Sequence, residues 1–356
     1  MKFILFFILR ILLFPFVWIL YGIIYTRNWL YDTKLLKSVQ PDIFTINVGN
    51  LNLGGTGKTP HVEYLVRLLM SQYKLSILSR GYKRKTKGFR IADENVSAKT
   101  IGDEPMQYYL KFKDTINVVV SEDRVAGVNQ IEASIPDNQL IILDDAFQHR
   151  KIAPHLNLLL CDYNRPFYED YLVPVGKLRD IRQSAIRANA VIVTKCPPII
   201  TSATYDSILS GIKRYVSAET PVFFSRIRYK DITGYLPEKV LDSQQKVNSM
   251  TGIAKPEVFI QYLTDKGFNL THSFTFPDHY DFLRKDIDKI IHELGSEENA
   301  LQIITTEKDM VKIKTLLKEQ ELAYFFYVPI EIEIENKEQF DAFILKQTAI
   351  SVSKSI

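Results

Sequence analysis

Cysteine is scarce in this chain: Cys161 and Cys196 are the only two in 356 residues. They form no Cys-x-x-Cys pair and no Cys/His cluster. Neither a zinc site nor a disulfide framework is expected, and reduced thiols in a reducing compartment follow. Charge of one sign is not in excess. Lys plus Arg is 45 against 41 for Asp plus Glu, a net charge of +4, too mild to signal nucleic acid. Internal repeats and low-complexity tracts are absent. With 46% hydrophobic and 24% charged residues, a largely disordered or collagen-like chain is excluded. At roughly 150 residues per domain, the length predicts two domains.

What the chain does contain is a long apolar run at its start. Ile4 to Tyr25 reads ILFFILRILLFPFVWILYGIIY, enough helix at ~1.5 Å per residue to cover about 33 Å. It is too long for a signal peptide, and no small-residue cleavage site follows. Arg27, Trp29, Tyr31, Lys34 and Lys37 form the basic and aromatic flank of a membrane interface. Arg10 would have to snorkel and Pro15 would kink the helix. The expectation is a membrane anchor helix in 1–35 that either spans or lies in the interface, with the body on the cytoplasmic face.

Beyond it, short apolar runs alternate with amphipathic segments. Strands are predicted at Phe44–Val48, Leu75–Leu78, Asn117–Val120, Leu140–Leu143, Leu156–Leu160, Val191–Thr194 and Val222–Phe224. Helices are predicted from Pro60, at Pro105–Phe112 and at Arg124–Ala133. This is the pattern of an α/β fold, a parallel sheet covered by helices. A second series contains strands near Val247–Met250, Phe274–Phe276, Ile303–Thr305 and Tyr324–Val328, with helices at Pro256–Thr264 and Asp286–Leu294. The predicted organisation is a P-loop-type α/β/α domain over 36–230 and a smaller α/β domain over 231–356, frayed from Gln347 onward.

The strongest chemical signal is GNLNLGGTGKTP, Gly49 to Pro60. It follows a strand and opens an amphipathic helix, the context a phosphate-binding loop requires. Asn52, Leu53, Gly54, Gly55, Thr56, Gly57, Lys58 and Thr59 are the expected nucleotide-binding residues. Glycines turn backbone N–H groups toward phosphate, Lys58 reaches the β- and γ-phosphates, and the Thr59 hydroxyl ligates Mg²⁺. The motif departs from GxxxxGK[ST] at Asn52. A second signal is Leu140-Ile-Ile-Leu-Asp144-Asp145, an apolar strand ending in acids. Asp144 and Asp145 are the expected Mg²⁺ partners, Asp144 the better placed. Together these predict an NTP-using protein. No guanine-reading NKxD motif is present, which favours ATP.

Other polar segments sit at strand ends or helix starts: Ser79-Arg80-Gly81-Tyr82 with the basic run to Arg90, Gly102-Asp103-Glu104-Pro105, Gly176-Lys177-Leu178-Arg179-Asp180, and Pro277-Asp278-His279-Tyr280. Taken alone, Asp103 reads equally well as a helix cap, the basic run as a solvated face, and Thr306-Glu307-Lys308-Asp309 as a capping-box-like helix start.

In combination, these motifs resemble the tetraacyldisaccharide 4′-kinases of lipid A biosynthesis. The resemblance rests on GNLNLGGTGKTP, SRGY at Ser79, GDEP at Gly102, EDR at Glu122, LDDAFQHR at Leu143, PVGKLRD at Pro174, TKCPP at Thr194, FPDHY at Phe276 and TTEKD at Thr305. These motifs fall in the family's order. The chain departs from the family at Ala146, usually Gly, and at GYKRK. The resemblance implies two α/β/α domains joined by a hinge, and a monotopic enzyme on the cytoplasmic face of a Gram-negative inner membrane. It implies transfer of the γ-phosphoryl of ATP to the 4′-hydroxyl of a tetraacyldisaccharide 1-phosphate, giving lipid IVA. It points to Asp103 as base, paired with His279, beside Lys58. Arg80, Tyr82, Arg124, Lys177 and Arg179 are the expected contacts to the phosphorylated head group. No nucleic acid and no obligate protein partner are inferred. The alternative from the residues alone is a membrane-associated P-loop ATPase driving a partner protein.

Overall fold

The computed structural model describes residues 2–241, 246–295 and 301–352; side chains of α1 are described from Leu13 onward. In chain order the elements are α1 (Lys2–Asp32), β1 (Phe44–Asn50), α2 (Lys58–Leu69), β2 (Leu75–Ser79), β3 (Arg90–Ile91), α3 (Ala98–Ile101), α4 (Asp103–Phe112), β4 (Asn117–Val120), α5 (Arg124–Ser134), β5 (Leu140–Asp144), β6 (Leu156–Asp162), β7 (Ala190–Thr194), α6 (Ser202–Lys213) and β8 (Val222–Tyr229). Then follow β9 (Thr233–Gly234), β10 (Lys246–Thr251), α7 (Pro256–Asp265), β11 (Asn269–Thr275), α8 (Arg284–Leu294), β12 (Ile303–Thr306), α9 (Glu307–Ile313), β13 (Phe325–Val328), β14 (Ile330–Ile334) and α10 (Lys337–Val352).

The first sheet has nine strands in the order β14-β8-β7-β6-β1-β5-β2-β4-β3. Only its edges, β3 and β14, run antiparallel. The central strands are buried on both faces, which is why they read as continuous apolar runs. Strand β1 lies between β5 and β6, with Val48 opposite Asp144. The loop after β1 and the acids after β5 therefore emerge side by side, at the carboxyl ends where open α/β sheets bind ligands. Helix α2 closes over this sheet through Val62, Leu65, Val66 and Leu69, none more than 1% exposed. Each such side chain contributes roughly 1.5–3 kcal/mol.

The second sheet has the order β11-β10-β12-β13-β9 and is parallel except for β9. Two boundaries differ from expectation. The chain does not stay in the second unit to its end: β14 returns to pair with β8. Helix α10 buries Phe340 and Ile344 in the first core. Instead of fraying from Gln347, this helix continues to Val352, with Thr348 fully buried and bonded to the Ile344 carbonyl at 3.2 Å; residues 353–356 lie outside the described residues. Among the described residues no helix is long and apolar enough to cross a membrane.

From Leu13 onward, α1 docks one face and exposes the other. Val17 and Ile24 are buried in the same cluster as Phe147, Phe167 and Leu172. Asn28 donates to Asp180 Oδ1 and Ser184 Oγ, both at 3.0 Å. Phe16, Trp18, Ile19, Ile23, Tyr25 and Trp29 are exposed. From Leu13 onward this helix is therefore packed on the body along one face. Deleting residues 1–26 removes Val17 and Ile24 and is expected to cost about 3–6 kcal/mol, two buried side chains' worth. A lowered urea midpoint checks this, and an unchanged midpoint contradicts it.

Candidate functional site

The loop between β1 and α2 is a cradle held from three sides. Gly54 and Gly57 take φ of 106° and 86°, a region that favours glycine. Gly57 caps α2 without any side-chain hydrogen bond, so the helix's first N–H groups face the loop. The Thr56 hydroxyl is buried without a partner, while Leu53, Gly54 and Gly55 are exposed. Asn52, the departure from the motif, is buried and staples the loop. Its Nδ2 donates to Asp170 Oδ2 at 2.9 Å, and Leu53 N donates to the Lys177 carbonyl at 2.6 Å. The Lys177 side chain is exposed. Thr194 Oγ1 donates to the Thr56 carbonyl at 3.0 Å, and Lys195 reaches Gly55 O. His61, unremarked in the sequence, holds the base of the turn. Its Nδ1 meets the Gly57 carbonyl at 2.7 Å and its Nε2 meets Ser225 Oγ at 3.0 Å. Burial pushes its pKa down to about 4, so the ring is neutral at pH 7.

Lys58, Asp145, Arg179 and Asn50 form one polar knot. Lys58 Nζ donates to Asn50 Oδ1 at 3.2 Å and lies 3.6 Å from Asp145 Oδ2. Arg179 grips Asp145 through both terminal nitrogens and donates to Asn50 Oδ1 at 2.6 Å. Burial opposes ionisation of Asp145, but Lys58, Arg179 and Arg124 outweigh it and hold the carboxyl at about 2. Asp144 is the opposite case. Burial, then Asp145 and Glu104, push it up to about 6. It accepts from Ser79 Oγ at 3.2 Å and from Tyr108 OH at 3.3 Å. Thr59 hydrogen-bonds the same Tyr108, which brings the three expected Mg²⁺ residues, Thr59, Asp144 and Asp145, to one place. Among the described residues no cluster of three or more His, Cys, Asp or Glu side chains is poised for a metal. A hydroxyl with one or two carboxylates nevertheless fits Mg²⁺, which keeps water and takes phosphate oxygens for the rest.

The expected head-group residues divide. Arg80 and Tyr82 are exposed at the end of β2. Arg124 is not available: it is 1% exposed. Its guanidinium donates to the carbonyls of Ser121 at 2.6 Å and Asp144 at 3.2 Å, so it braces the acidic strand end. The basic run is also smaller than it reads. The Arg84 side chain is buried against Glu122 Oε1 at 2.6 Å and the Gly88 carbonyl at 2.6 Å. Lys83, Lys85 and Lys87 remain exposed.

Asp103 and His279 meet across the two units. Gly102 takes the cap position at φ 98°, and Asp103 is the first residue of α4 rather than its cap. His279 sits at φ 57° beyond β11, its N–H bonded to the Gly252 carbonyl at 3.1 Å. His279 Nδ1 lies 3.7 Å from Asp103 Oδ2, and the Tyr82 ring stands edge-on to the imidazole at 5.8 Å. Burial would raise the Asp103 pKa, but the adjoining His279 ring and the charges of Lys312 and Lys308 hold it below the usual carboxylate range. Both lysines lie on α9; the sequence reading assigned Lys308 to a helix start and passed over Lys312. Their spacing of four on one helix face was the available signal.

Comparison with known proteins gives the family. The family model described as tetraacyldisaccharide-1-P 4′-kinase matches residues 9–349. The tetraacyldisaccharide 4′-kinase of Flavobacterium johnsoniae is 42% identical over 345 residues, 95% of this chain and 97% of its own. That of Flavobacterium psychrophilum is 42% identical over 352 residues, 97% and 98% of the two chains. A crystal structure of LpxK from Aquifex aeolicus in complex with ATP superposes with a TM-score of 0.75 at 30% identity, covering 96% of this chain and 99% of that one. With a phosphate loop beside an acidic strand end, an Asp–His pair at 3.7 Å, and relatives matching over nearly its whole length, this chain belongs to the tetraacyldisaccharide 4′-kinase family.

Proposed function

We propose that the chain transfers the γ-phosphoryl of ATP to the 4′-hydroxyl of an acylated disaccharide 1-phosphate, with Asp103 as the general base. The observation that carries this reading is the approach of His279 to Asp103 at 3.7 Å. Glu104, next to Asp103, is near enough to act on Asp144. In the transfer, the acceptor oxygen forms a bond to phosphorus, the bond from phosphorus to the ADP oxygen breaks, and the hydroxyl proton passes to the Asp103 carboxylate. A base held ionised suits that task at neutral pH, because it is ready to accept. Lys58 faces the transferred group's charge, and the first N–H groups of α2 face the phosphates. Mg²⁺, held by Thr59, Asp144 and Asp145, would supply further charge neutralisation when bound.

The acceptor's acyl chains favour the bilayer by ~0.8 kcal/mol per buried CH₂, so the enzyme must come to it. The exposed aromatic and aliphatic face of α1 supports a body lying on the inner membrane's cytoplasmic surface. Arg80, Tyr82, Lys177 and the exposed lysines of the 83–87 run are the candidate head-group contacts. Mass spectrometry of the lipid after incubation with ATP, Mg²⁺ and the disaccharide 1-phosphate tests the reading. A product heavier by one phosphate is expected; unchanged lipid with ATP consumed contradicts it.

A further inference from the structure

Lys308 and Lys312 lie one turn apart on α9, and both ammonium groups reach the Asp103–His279 pair. Lys308 Nζ is 3.0 Å from His279 Nε2 and 3.5 Å from Asp278 Oδ1. Lys312 Nζ is 3.5 Å from Asp103 Oδ2 and donates to the Tyr280 carbonyl at 2.9 Å. An ammonium has donors only, so Nε2 of His279 must be the acceptor and the ring proton must sit on Nδ1. That nitrogen is the one facing Asp103. We propose that Lys308 is a positioning residue of the reaction: by donating to His279 Nε2 it selects the tautomer that points Nδ1–H at the base. The proposal rests on the reading of Asp103 as base and adds to it the group that decides how His279 serves it.

The surroundings hold Lys308 to this task. Asp309 fixes the start of α9, its Oδ2 accepting from Thr251 Oγ1 and Gly252 N at 2.9 Å each and from Thr306 Oγ1 at 2.7 Å. Glu307 ties the helix to the first unit. Lys111 lies 2.7 Å from both Glu307 Oε1 and Glu63 Oε2, and Gln107 donates to Glu63 Oε1 at 2.8 Å. Both glutamates are buried, and an ion pair so buried is costly to break by removing one partner. Thus α9 stands in fixed relation to α2, the phosphate-loop helix, and to α4, which begins at Asp103. Which imidazole nitrogen carries the proton is set by the bond the other makes. Without Lys308, Nε2 can regain the proton, and Nδ1 then turns a lone pair toward the Asp103 carboxylate.

The test is ¹⁵N NMR of histidine-labelled full-length protein, with the His279 signals assigned through His279→Gln, alongside steady-state kinetics of Lys308→Met and Lys308→Arg. The Lys308 side chain is 27% exposed, so both variants are expected to fold. In the parent, His279 should carry its proton on Nδ1 with Nε2 bare; in Lys308→Met, Nε2 should be protonated. Lys308→Met should lower kcat about 10-fold or more, a part of the ~10² to 10⁴ of a positioned acid or base, while the KM for ATP stays within about 2-fold. Lys308→Arg, which keeps a donor, should recover most of both effects. A protonated Nε2 in the parent overturns the proposal whatever the variants do. So does an unchanged kcat in Lys308→Met when Asp103→Ala is inactive. Full activity in Asp103→Ala overturns the reading of the base itself, and the proposal with it.

Discussion

Alanine at Lys58 lowers turnover by at least ~10²-fold, the scale on which removal of one charge-stabilising donor acts. Phosphoryl transfer relies on positioning and electrostatic stabilisation, so no other step compensates for the lost charge. The effect is expected on catalysis and not on the fold. Among the described residues Lys58 is held by Asn50 and Asp145, at 3.2 and 3.6 Å. Asp145 and Asn50 keep Arg179 as a partner when Lys58 is gone. Steady-state turnover together with a urea midpoint checks this. Near-normal turnover in a folded Lys58→Ala protein contradicts the assignment of the loop.

The second large effect is at the base. Asp103→Ala and His279→Ala are each expected to lower kcat by about 10² to 10⁴, the usual contribution of a positioned acid or base, with little change in ATP affinity. The double mutant should be scarcely worse than the worse single mutant, because groups acting as a unit are non-additive. His279 belongs to the second unit and Asp103 to the first, and the fold brings them to 3.7 Å. Strictly multiplicative losses in the double mutant contradict a pair. Measured kcat for the four proteins, with ATP binding measured separately, decides it.

The parts of this site that were legible in the sequence are the local ones. The phosphate loop announces itself because strand, glycines, Lys58 and Thr59 are contiguous, and Asp144 because an apolar run ends in it. Asp103 and His279 were singled out through the family resemblance and not through their own neighbourhoods. They meet only because two sheets bring distant turns together, and alone Asp103 reads as a cap. Charge was the least legible property. Arg84 and Arg124 read as available cations, but Glu122 and the Ser121 and Asp144 carbonyls take them up. Lys308 read as part of a helix start and Lys312 went unread, yet both face the Asp103–His279 pair. The return of β14 was hidden for a different reason. The alternation Ile330-Glu-Ile-Glu-Ile334 marks a half-exposed strand but does not say which sheet it joins. Likewise the apolar run at the N-terminus shows no sign that Val17, Ile24 and Asn28 pack on the body while the opposite face stays open.

The most direct measurement is the fate of the γ-phosphate. ATP labelled at that position is incubated with Mg²⁺, the full-length protein and vesicles carrying the tetraacyldisaccharide 1-phosphate, and label is counted in lipid and in free phosphate. The account predicts one labelled phosphate on the lipid 4′-hydroxyl for each ADP formed, with transfer lost in Asp103→Ala although ATP still binds. Label released as free phosphate with none on the lipid, or transfer undiminished in Asp103→Ala, would contradict it.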